Sequence, residues 1–154
     1  MLATRTIYLA TDHAGFAHKQ AIWAWLIAEG FTVIDVGAKV LDDTDDFPDF
    51  IKLAAQAVSQ NPQTTAAIIF GGSGQGEAMV ANRYPGVRAT VYYGGDESII
   101  TLSREHNDAN VLSVGARFVT VDATKKVIWD WLHTAISSDP KYLRRNLKID
   151  ARGT

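Results

Sequence analysis

The sequence contains no cysteine among its 154 residues. This absence excludes disulfide bonds, cysteine-ligated metal centres and thiol nucleophiles, so any chemistry falls to carboxylates, histidines and hydroxyls. A strong charge bias is also missing, because 15 lysines and arginines face 17 aspartates and glutamates and the formal net charge is −2. The chain therefore has no bulk electrostatic attraction for nucleic acid or an acidic membrane, and we expect a small-molecule partner.

Long hydrophobic runs are absent as well. The longest apolar stretches, residues 21–28 and 65–70, fall well short of the ~20 residues that a membrane helix needs. The amino terminus lacks the basic region, apolar block and cleavage site of a secretory signal, since Asp12 and His13 interrupt it early. We therefore expect a cytoplasmic protein without a membrane segment.

Two kinds of segment alternate along the chain. Short apolar runs are typical of strands covered on both faces of a parallel sheet, and apolar residues at helical spacing mark amphipathic helices. The strand-like runs span residues 7–10, 31–34, 66–70, 87–92 and 111–114. The helical faces span residues 22–26, 50–58, 79–83, 99–106 and 127–132. This alternation predicts a single α/β domain over residues 1–154, in which a five-stranded parallel sheet carries helices on both faces.

Polar segments beside the predicted strands are the first candidates for a site, because ligands of open parallel sheets bind beyond the carboxyl ends of the strands. One segment, residues 11–15, follows the first strand, and a glycine-rich segment, residues 71–77, follows the third. A further segment, residues 104–110, follows the fourth helix. We expect all three segments at the same edge of the sheet or near its rim.

The glycine-rich segment Gly-Gly-Ser-Gly-Gln-Gly-Glu fits neither of two common phosphate-binding motifs. Glu77 occupies the third glycine of a dinucleotide fingerprint read from Gly72, and also the lysine of a P-loop read from Gly71. A carboxylate there would repel a nucleoside triphosphate, whereas the glycines let backbone N–H groups converge on an oxyanion. The alternative is a tight strand-to-helix turn in which Glu77 interacts with the helix dipole. Four glycines within six residues favour a small oxyanion beside a base.

The acidic connection over residues 37–49 has two interpretations. Its five aspartates are Asp42, Asp43, Asp45, Asp46 and Asp49. Their number suggests a cation site, but the spacing of a calcium-binding EF-hand is absent. A solvated turn in which Asp46 or Asp49 caps the next helix is favoured, so the sequence predicts no metal site.

Four motifs in the chain occur together and in the same order in a known family. They are Asp12-His13-Ala14-Gly15, Asp46-Phe47-Pro48-Asp49, Gly72-Ser73-Gly74-x-Gly76 with Ala81-Asn82-Arg83, and His106-Asn107-Asp108-Ala109-Asn110-Val111-Leu112 with Gly115-Ala116-Arg117. Over about residues 5–150 the chain resembles the ribose-5-phosphate isomerase type B and galactose-6-phosphate isomerase family. The resemblance implies a Rossmann-like three-layer α/β/α sandwich and no metal or other cofactor. It also implies a homodimer whose active sites take residues from two subunits, and it leaves open whether two dimers pair into a tetramer.

The resemblance further assigns the catalytic roles. Many members place a cysteine base at the position of Gly71, but a subgroup carries Gly-Gly-Ser-Gly-x-Gly-Glu and uses the glutamate, which implies that Glu77 is the base. A carboxylate suits the two proton transfers of aldose–ketose isomerisation. Ser73 and the backbone of the loop would stabilise the enediolate oxygens; the backbone groups belong to Gly72, Gly74 and Gly76. His106 would open the sugar ring, since imidazole titrates near neutrality.

The remaining assignments concern substrate binding. By resemblance, Asn107 and Arg117 lie in or beside a site shared between subunits, Asp12 orders a sugar hydroxyl or the ring oxygen, and His13 faces the phosphate. The basic carboxy-terminal segment places Lys141 and Arg145 at phosphate-binding positions. Two residues depart from the family pattern: Lys141 replaces an arginine and loses its planar fork, and Phe47 replaces a tyrosine and loses a hydroxyl.

These features predict a metal-independent aldose–ketose isomerase of phosphorylated sugars that works through a cis-enediolate. Ribose 5-phosphate and ribulose 5-phosphate are the leading pair, with galactose or allose 6-phosphate or a tetrose phosphate as competitors. A non-catalytic sugar-phosphate-binding protein is the alternative from another class, and Glu77 disfavours a nucleotide-binding flavodoxin-like domain. The segment 139–154 is expected to pack on or reach to a partner subunit.

Overall fold

Five strands, six α-helices and one short 3-10 helix, His13–Gly15, lie within residues 1–151, the part of the chain that this computed structural model describes. The strands are β1 (Thr6–Thr11), β2 (Val33–Asp35), β3 (Thr65–Gly71), β4 (Ala89–Tyr92) and β5 (Val111–Gly115). The helices are α1 (Phe16–Ala28), α2 (Phe47–Gln60), α3 (Gln75–Ala81), α4 (Ser98–Asn107), α5 (Val121–His133) and α6 (Pro140–Asp150). The predicted α/β alternation is confirmed through α5, and α6 is an additional helix that the periodicity did not indicate.

The strands form one sheet in the order β2-β1-β3-β5-β4, with every neighbouring pair parallel. The register aligns Leu9 with Ile68 and Ile68 with Leu112. All residues of β3 and β5 are buried, which explains their uninterrupted apolar sequence. The edge strands differ most from the predicted bounds, because β2 begins at Val33 and β4 at Ala89.

Side chains of the central strands alternate between two apolar cores, one on each face of the sheet. Ile68 and Phe70 of β3 join the core that includes Ile22 of α1 and Trp131 of α5. Their neighbours Ala67 and Ile69 join the core of α2 and α3, whose members include Ile51, Ala54, Val58 and Ala81. Because successive side chains of a strand point to opposite faces, this division produces the predicted three-layer α/β/α sandwich.

A fully buried lysine anchors the connection between β2 and α2. Lys19 Nζ donates hydrogen bonds to Asp35 Oδ2 at 2.6 Å and to the Ala38 carbonyl at 2.8 Å. Asp35 Oδ1 in turn accepts a hydrogen bond from the Gly37 N–H at 2.9 Å. These contacts hold the start of the acidic connection against α1 and the end of β1, beside the carboxyl edge of the sheet.

The helix α6 packs against α4 of its own chain. The rings of Tyr142 and His106 stack with their centroids 4.2 Å apart. At the other end of α6, Asp150 forms a salt bridge of 2.8 Å with Arg88, the residue before β4. Contact of the segment 139–154 with a partner subunit stays a prediction, and residues 152–154 lie outside the described part of the chain.

Within residues 1–151, no helix combines the length and the apolar character that crossing a bilayer requires. The cytoplasmic location stays a prediction.

Candidate active site

Loops that follow β1, β3 and β5 enclose a cavity of about 410 Å³ at the carboxyl edge of the sheet. These three strands are adjacent in the sheet, with β3 in the middle, so their loops converge. Seven of the predicted site residues line the cavity, namely Asp12, His13, Gly72, Ser73, Gly76, Glu77 and Arg117. The sequence therefore identified most of the polar surface of this cavity.

Glu77 provides the buried carboxylate of the cavity. It lies in the first turn of α3, and only 5% of the surface of Glu77 is exposed to solvent. A Cβ atom placed on Gly71 would overlap the carboxylate of Glu77, so the acid occupies the volume that a side chain at position 71 would fill. Burial raises the pKa of Glu77, its own backbone N–H opposes the increase through a hydrogen bond, and the charge of Asp12 adds to it. A carboxylate in this environment is a stronger base than one in water.

The glycine-rich loop packs tightly on the end of β5. Gly74 adopts a left-handed conformation, with φ of 77°, and its carbonyl accepts a hydrogen bond of 2.6 Å from Ser113 Oγ. A Cβ on Gly115 would lie only 2.7 Å from the Ser73 carbonyl oxygen. Ser73 Oγ accepts a long hydrogen bond, 3.4 Å, from the Gln75 N–H. The loop is therefore held in one conformation beside Glu77.

Arg117 supplies the cation of the cavity. Its backbone N–H donates to the Gly72 carbonyl at 3.2 Å, which ties the loop after β5 to the loop after β3. Its guanidinium carbon lies 3.3 Å from the position of a Cβ on Gly72. A cation over the glycine-rich loop is suited to an anionic substrate group.

A network of acids surrounds His13. Asp12 caps the turn after β1 by accepting a hydrogen bond from the Ala14 N–H at 2.9 Å. Asp45, from the acidic connection, lies 2.7 Å from His13 Nδ1. The hydrogen bond with Asp45 raises the pKa of His13, partial burial opposes the increase, and the charges of Asp12 and Asp43 add to it. Sequence reasoning missed Asp45, because nothing local distinguishes it from its acidic neighbours in a connection expected to be solvated.

Asp12, His13 and Asp45 form the cluster of the described residues in which the acidic connection could contribute to a cation site. Potential ligand atoms of Asp12, His13 and Asp45 all lie within 4.8 Å of one another. Asp12 and Asp45 already accept hydrogen bonds from backbone N–H groups, and His13 Nδ1 is engaged with Asp45. These contacts account for the cluster without an ion, and a metal-free site stays a prediction.

The expectation that all three polar segments lie at the same edge of the sheet or near its rim is wrong for residues 104–110, which lie at the opposite edge. This segment ends α4 and precedes β5, and the Asn110 carbonyl accepts from the Ala67 N–H near the start of β3. The chain has therefore crossed back to the amino edge of the sheet before β5 begins. The segment belongs to a helix-to-strand connection, which reaches the opposite edge from the strand-to-helix loops.

Four predicted residues, His106, Asn107, Lys141 and Arg145, consequently form a second group at the amino edge. His106 and Lys141 line a separate cavity together with Tyr142, and Lys141 Nζ lies 2.8 Å from Asp139. The guanidinium of Arg145 lies 5.8 Å from the centroid of the Tyr142 ring. Asn107 lines a neighbouring pocket along β4. Among the described residues, the cavity of Glu77 and that of His106 share no lining residue.

A parallel three-layer fold that holds a buried carboxylate and a cation beside a glycine-rich loop defines an α/β enzyme suited to proton transfer next to an oxyanion. The chain belongs to the ribose/galactose isomerase family, whose model matches residues 7–149. The family and the isomerase class predicted from the motifs are thereby confirmed.

Individual relatives agree over nearly their whole length. The chain is 37% identical to ribose-5-phosphate isomerase B of Mycolicibacterium paratuberculosis over 139 residues, which cover 90% of this chain and 86% of the relative. It is 35% identical to ribose-5-phosphate isomerase B of Escherichia coli, with 83% of each chain covered. The crystal structure of the Mycoplasma genitalium enzyme with bound ribulose-5-phosphate superposes with a TM-score of 0.90 at 35% identity, covering 96% of this chain and 95% of that one.

Proposed function

We propose that the chain interconverts ribose 5-phosphate and ribulose 5-phosphate through a cis-enediolate, without a metal. The buried carboxylate of Glu77, in the volume otherwise available to a side chain at position 71, is the observation that carries the proposal. The names of the relatives and the bound ribulose-5-phosphate of the Mycoplasma genitalium enzyme support the choice of substrate.

Glu77 is proposed to move the proton in both directions. Its carboxylate removes the proton from C2 of the open-chain aldose, and the released electron pair forms the C1=C2 double bond while the C1 carbonyl oxygen takes the negative charge of the enediolate. The hydroxyl proton of O2 passes to O1 across the cis-enediolate, which leaves O1–H and a charged O2. The protonated Glu77 then delivers the proton to C1 while O2 becomes the ketose carbonyl. One group on one face of the substrate suffices for both steps, and the raised pKa of Glu77 brings the two transfers closer in energy.

The loop after β3 is proposed to stabilise the enediolate. The hydroxyl of Ser73 and the backbone around it lie next to Glu77 in the same cavity. Donors fixed in place before the reaction stabilise a developing oxyanion without reorganisation, and the packing of Gly74 against β5 supplies that rigidity. Arg117 is proposed to bind an anionic group of the substrate, and Asp12 and His13 to bind its hydroxyl and phosphate ends.

The ring-opening and phosphate-binding groups are proposed to come from a second copy of the chain. His106 and Lys141 lie at the amino edge, in a cavity separate from that of Glu77. A homodimer that apposes the amino-edge group of one subunit with the Glu77 cavity of the other would complete both sites. In this arrangement His106 opens the ring, Asn107 binds substrate hydroxyls, and Lys141 and Arg145 bind the phosphate. Whether two dimers pair into a tetramer does not affect the site.

Phe47 affects which hydrogen bonds the cavity can offer to a sugar. Its ring packs over the glycine-rich loop, because a Cβ on Gly76 would lie 2.9 Å from Phe47 Cζ. The phenylalanine presents an apolar edge to the cavity where a tyrosine would offer a hydroxyl. A substrate that needs no hydrogen bond at this position is favoured.

The test is turnover of four-, five- and six-carbon aldose phosphates by the metal-stripped protein. We expect ribose 5-phosphate to give the highest kcat/KM and Glu77→Gln to abolish turnover, with Glu29→Gln, an exposed acid, as the matched control. A higher kcat/KM for a tetrose or hexose phosphate would replace the proposed substrate. Binding of a sugar phosphate without turnover would instead favour a non-catalytic binding protein.

A further inference from the structure

Asp45 makes a two-point contact with His13 that neither the motifs nor the family assignment explains. Asp45 Oδ1 accepts a hydrogen bond of 3.0 Å from the His13 backbone N–H and lies 2.7 Å from the ring nitrogen Nδ1. The side chain of Asp45 is only 11% exposed, although the aspartates around it in the connection are exposed. Both donors converge on one oxygen, so the ring of His13 is held relative to its own backbone.

The burial of Asp45 is compensated by His13. The second carboxylate oxygen, Oδ2, is buried and has no hydrogen-bond partner among the described residues. A buried carboxylate needs a cation or several donors to offset its lost hydration. Within residues 1–151, the basic side chain within ion-pair distance of Asp45 is His13, which supplies a positive charge when its ring is protonated. This pairing stabilises the charged form of the histidine.

The contact also determines the tautomer of His13. An ionised carboxylate only accepts hydrogen bonds, so Nδ1 carries a proton in both charge states of the ring. The nitrogen that gains and loses a proton is therefore Nε2, which is the ring nitrogen left for a ligand in the Glu77 cavity. In its charged form His13 donates from Nε2 to an anion, and in its neutral form it accepts.

We propose that Asp45 is a positioning residue of the isomerase: it fixes His13 as the Nδ1-protonated imidazole and leaves Nε2 to bind the phosphorylated end of the sugar. The inference rests on the proposed function for its consequence in catalysis, but the Asp45–His13 contact is testable without turnover. Asp45 acts through His13 and is not assigned a contact with the substrate.

The pH dependence follows from the charges that surround His13. Asp12 at the end of β1 lies 3.7 Å from Nδ1, and the acidic connection contributes further carboxylates. The ionisable groups near His13 are Asp12, Asp42, Asp43 and Asp45, with Glu77 and Arg117 lining the same cavity. The hydrogen bond with Asp45 has the largest effect on the pKa of His13. Loss of Asp45 therefore lowers the pH at which His13 loses its charge.

The experiment combines imidazole ¹⁵N NMR with kinetics on the full chain. Asp45→Asn keeps an acceptor but loses the charge, and Asp45→Ala loses both. The matched control is Asp43→Asn, which removes an exposed charge from the same connection. A His13→Gln spectrum assigns the His13 signals among the four histidines. Thermal unfolding of each variant verifies that the fold is retained.

We expect neutral His13 to be protonated at Nδ1 in the wild type and in Asp45→Asn, and to change to the Nε2-protonated form in Asp45→Ala. Both Asp45 variants should lower the titration midpoint of His13 more than Asp43→Asn does. Their kcat/KM should fall by about 10–100-fold, mainly through KM, with the alkaline limb moved to lower pH.

Two results would overturn the inference. One is a wild-type His13 whose neutral form is protonated at Nε2; the other is a titration midpoint that Asp45→Asn moves no further than Asp43→Asn. If the wild type turned over no sugar phosphate, the proposed function would fail, and the NMR arm would still decide the role of Asp45.

Discussion

At the scale of single residues, Gly71 and Glu77 share one volume at the end of β3. The carboxylate lies where a Cβ on residue 71 would stand, so the two positions are coupled sterically. A side chain at position 71 would force the carboxylate of Glu77 out of its place in the cavity. Position 71 therefore tolerates only glycine as long as Glu77 points into the cavity.

A double-mutant cycle tests this coupling. Gly71→Ala should abolish turnover by displacing the carboxylate, and it should lower the free energy of unfolding by about 1 kcal/mol at most, because the overlapping atoms end a flexible side chain. In the background of Glu77→Ala the same substitution should cost little, because the volume is then empty. The coupling between the two positions, measured by chemical denaturation, should amount to about 0.5–1 kcal/mol. Additive effects would show that the two side chains do not compete for space.

The buried carboxylate of Glu77 should also lower the stability of the folded protein at neutral pH. Burial raises its pKa in the folded state, so between the unfolded and folded pKa values the folded state holds a proton that the unfolded state releases. The free energy of unfolding therefore falls as the pH rises through that window and stays lower above it. Glu77→Gln removes this effect and should stabilise the inactive protein by about 0.5–2 kcal/mol at neutral pH.

The measurement is the thermal midpoint of both proteins between pH 4 and pH 8, with Glu29→Gln as the control. The advantage of Glu77→Gln should almost vanish at about pH 4, where the wild-type carboxyl is mostly protonated in both states. An equal midpoint at pH 8, or a lower one for the variant, would contradict the assignment of a destabilised carboxylate.

At the scale of elements, α6 positions the end of α4. Tyr142 stacks on His106 with an angle of 9° between the rings, so the aromatic face of α6 fixes the imidazole. Tyr142→Ala should lower the free energy of unfolding by about 0.5–1.5 kcal/mol and reduce kcat, because His106 loses its orientation. Tyr142→Phe keeps the stack and should retain wild-type values of both quantities. Equal kcat values for the two variants would show that the stack between α6 and His106 does not contribute to turnover.

Prediction from the sequence worked for elements with a one-dimensional signature. The central strands were recognisable because both faces of β3 and β5 are buried, which leaves continuous apolar runs. The edge strands β2 and β4 bury one side less completely, and their bounds were less well predicted. The location of residues 104–110 was predicted wrongly because periodicity identifies an element but not the edge of the sheet at which its ends lie.

The contact between Asp45 and His13 shows a different limit of the sequence. The two residues are 32 positions apart, and Asp45 is one of several aspartates with the same local surroundings. Only the folded path of the connection, anchored by Lys19, selects the aspartate that reaches the site. Glu77, in contrast, was identified because its glycine-rich loop is a local motif.

At the scale of the whole molecule, the predicted site residues fall into two groups at opposite edges of the sheet. Co-expression of differently tagged Glu77→Gln and His106→Gln chains tests whether a site draws on two subunits. A heterodimer of these variants would combine both defects in one site and leave the other intact, so it should have about half of the wild-type activity per dimer.

The matched control pairs Glu77→Gln with Ser73→Ala, two residues of the same cavity. Each site of that heterodimer would carry one defect, and its activity should stay low. If the heterodimer of Glu77→Gln and His106→Gln were as inactive as its parents, each site would have to lie within one subunit.

The most direct test of the central claim, that Glu77 carries a proton between C2 and C1 of a sugar phosphate, is ¹H NMR of ribose 5-phosphate in D₂O with the wild type and Glu77→Gln. The account predicts that the wild type forms ribulose 5-phosphate with deuterium at C1, because a carboxyl group exchanges its proton with solvent while the enediolate persists. Glu77→Gln should form neither the ketose nor the deuterated carbon. Isomerisation by Glu77→Gln at a rate near that of the wild type would contradict the account.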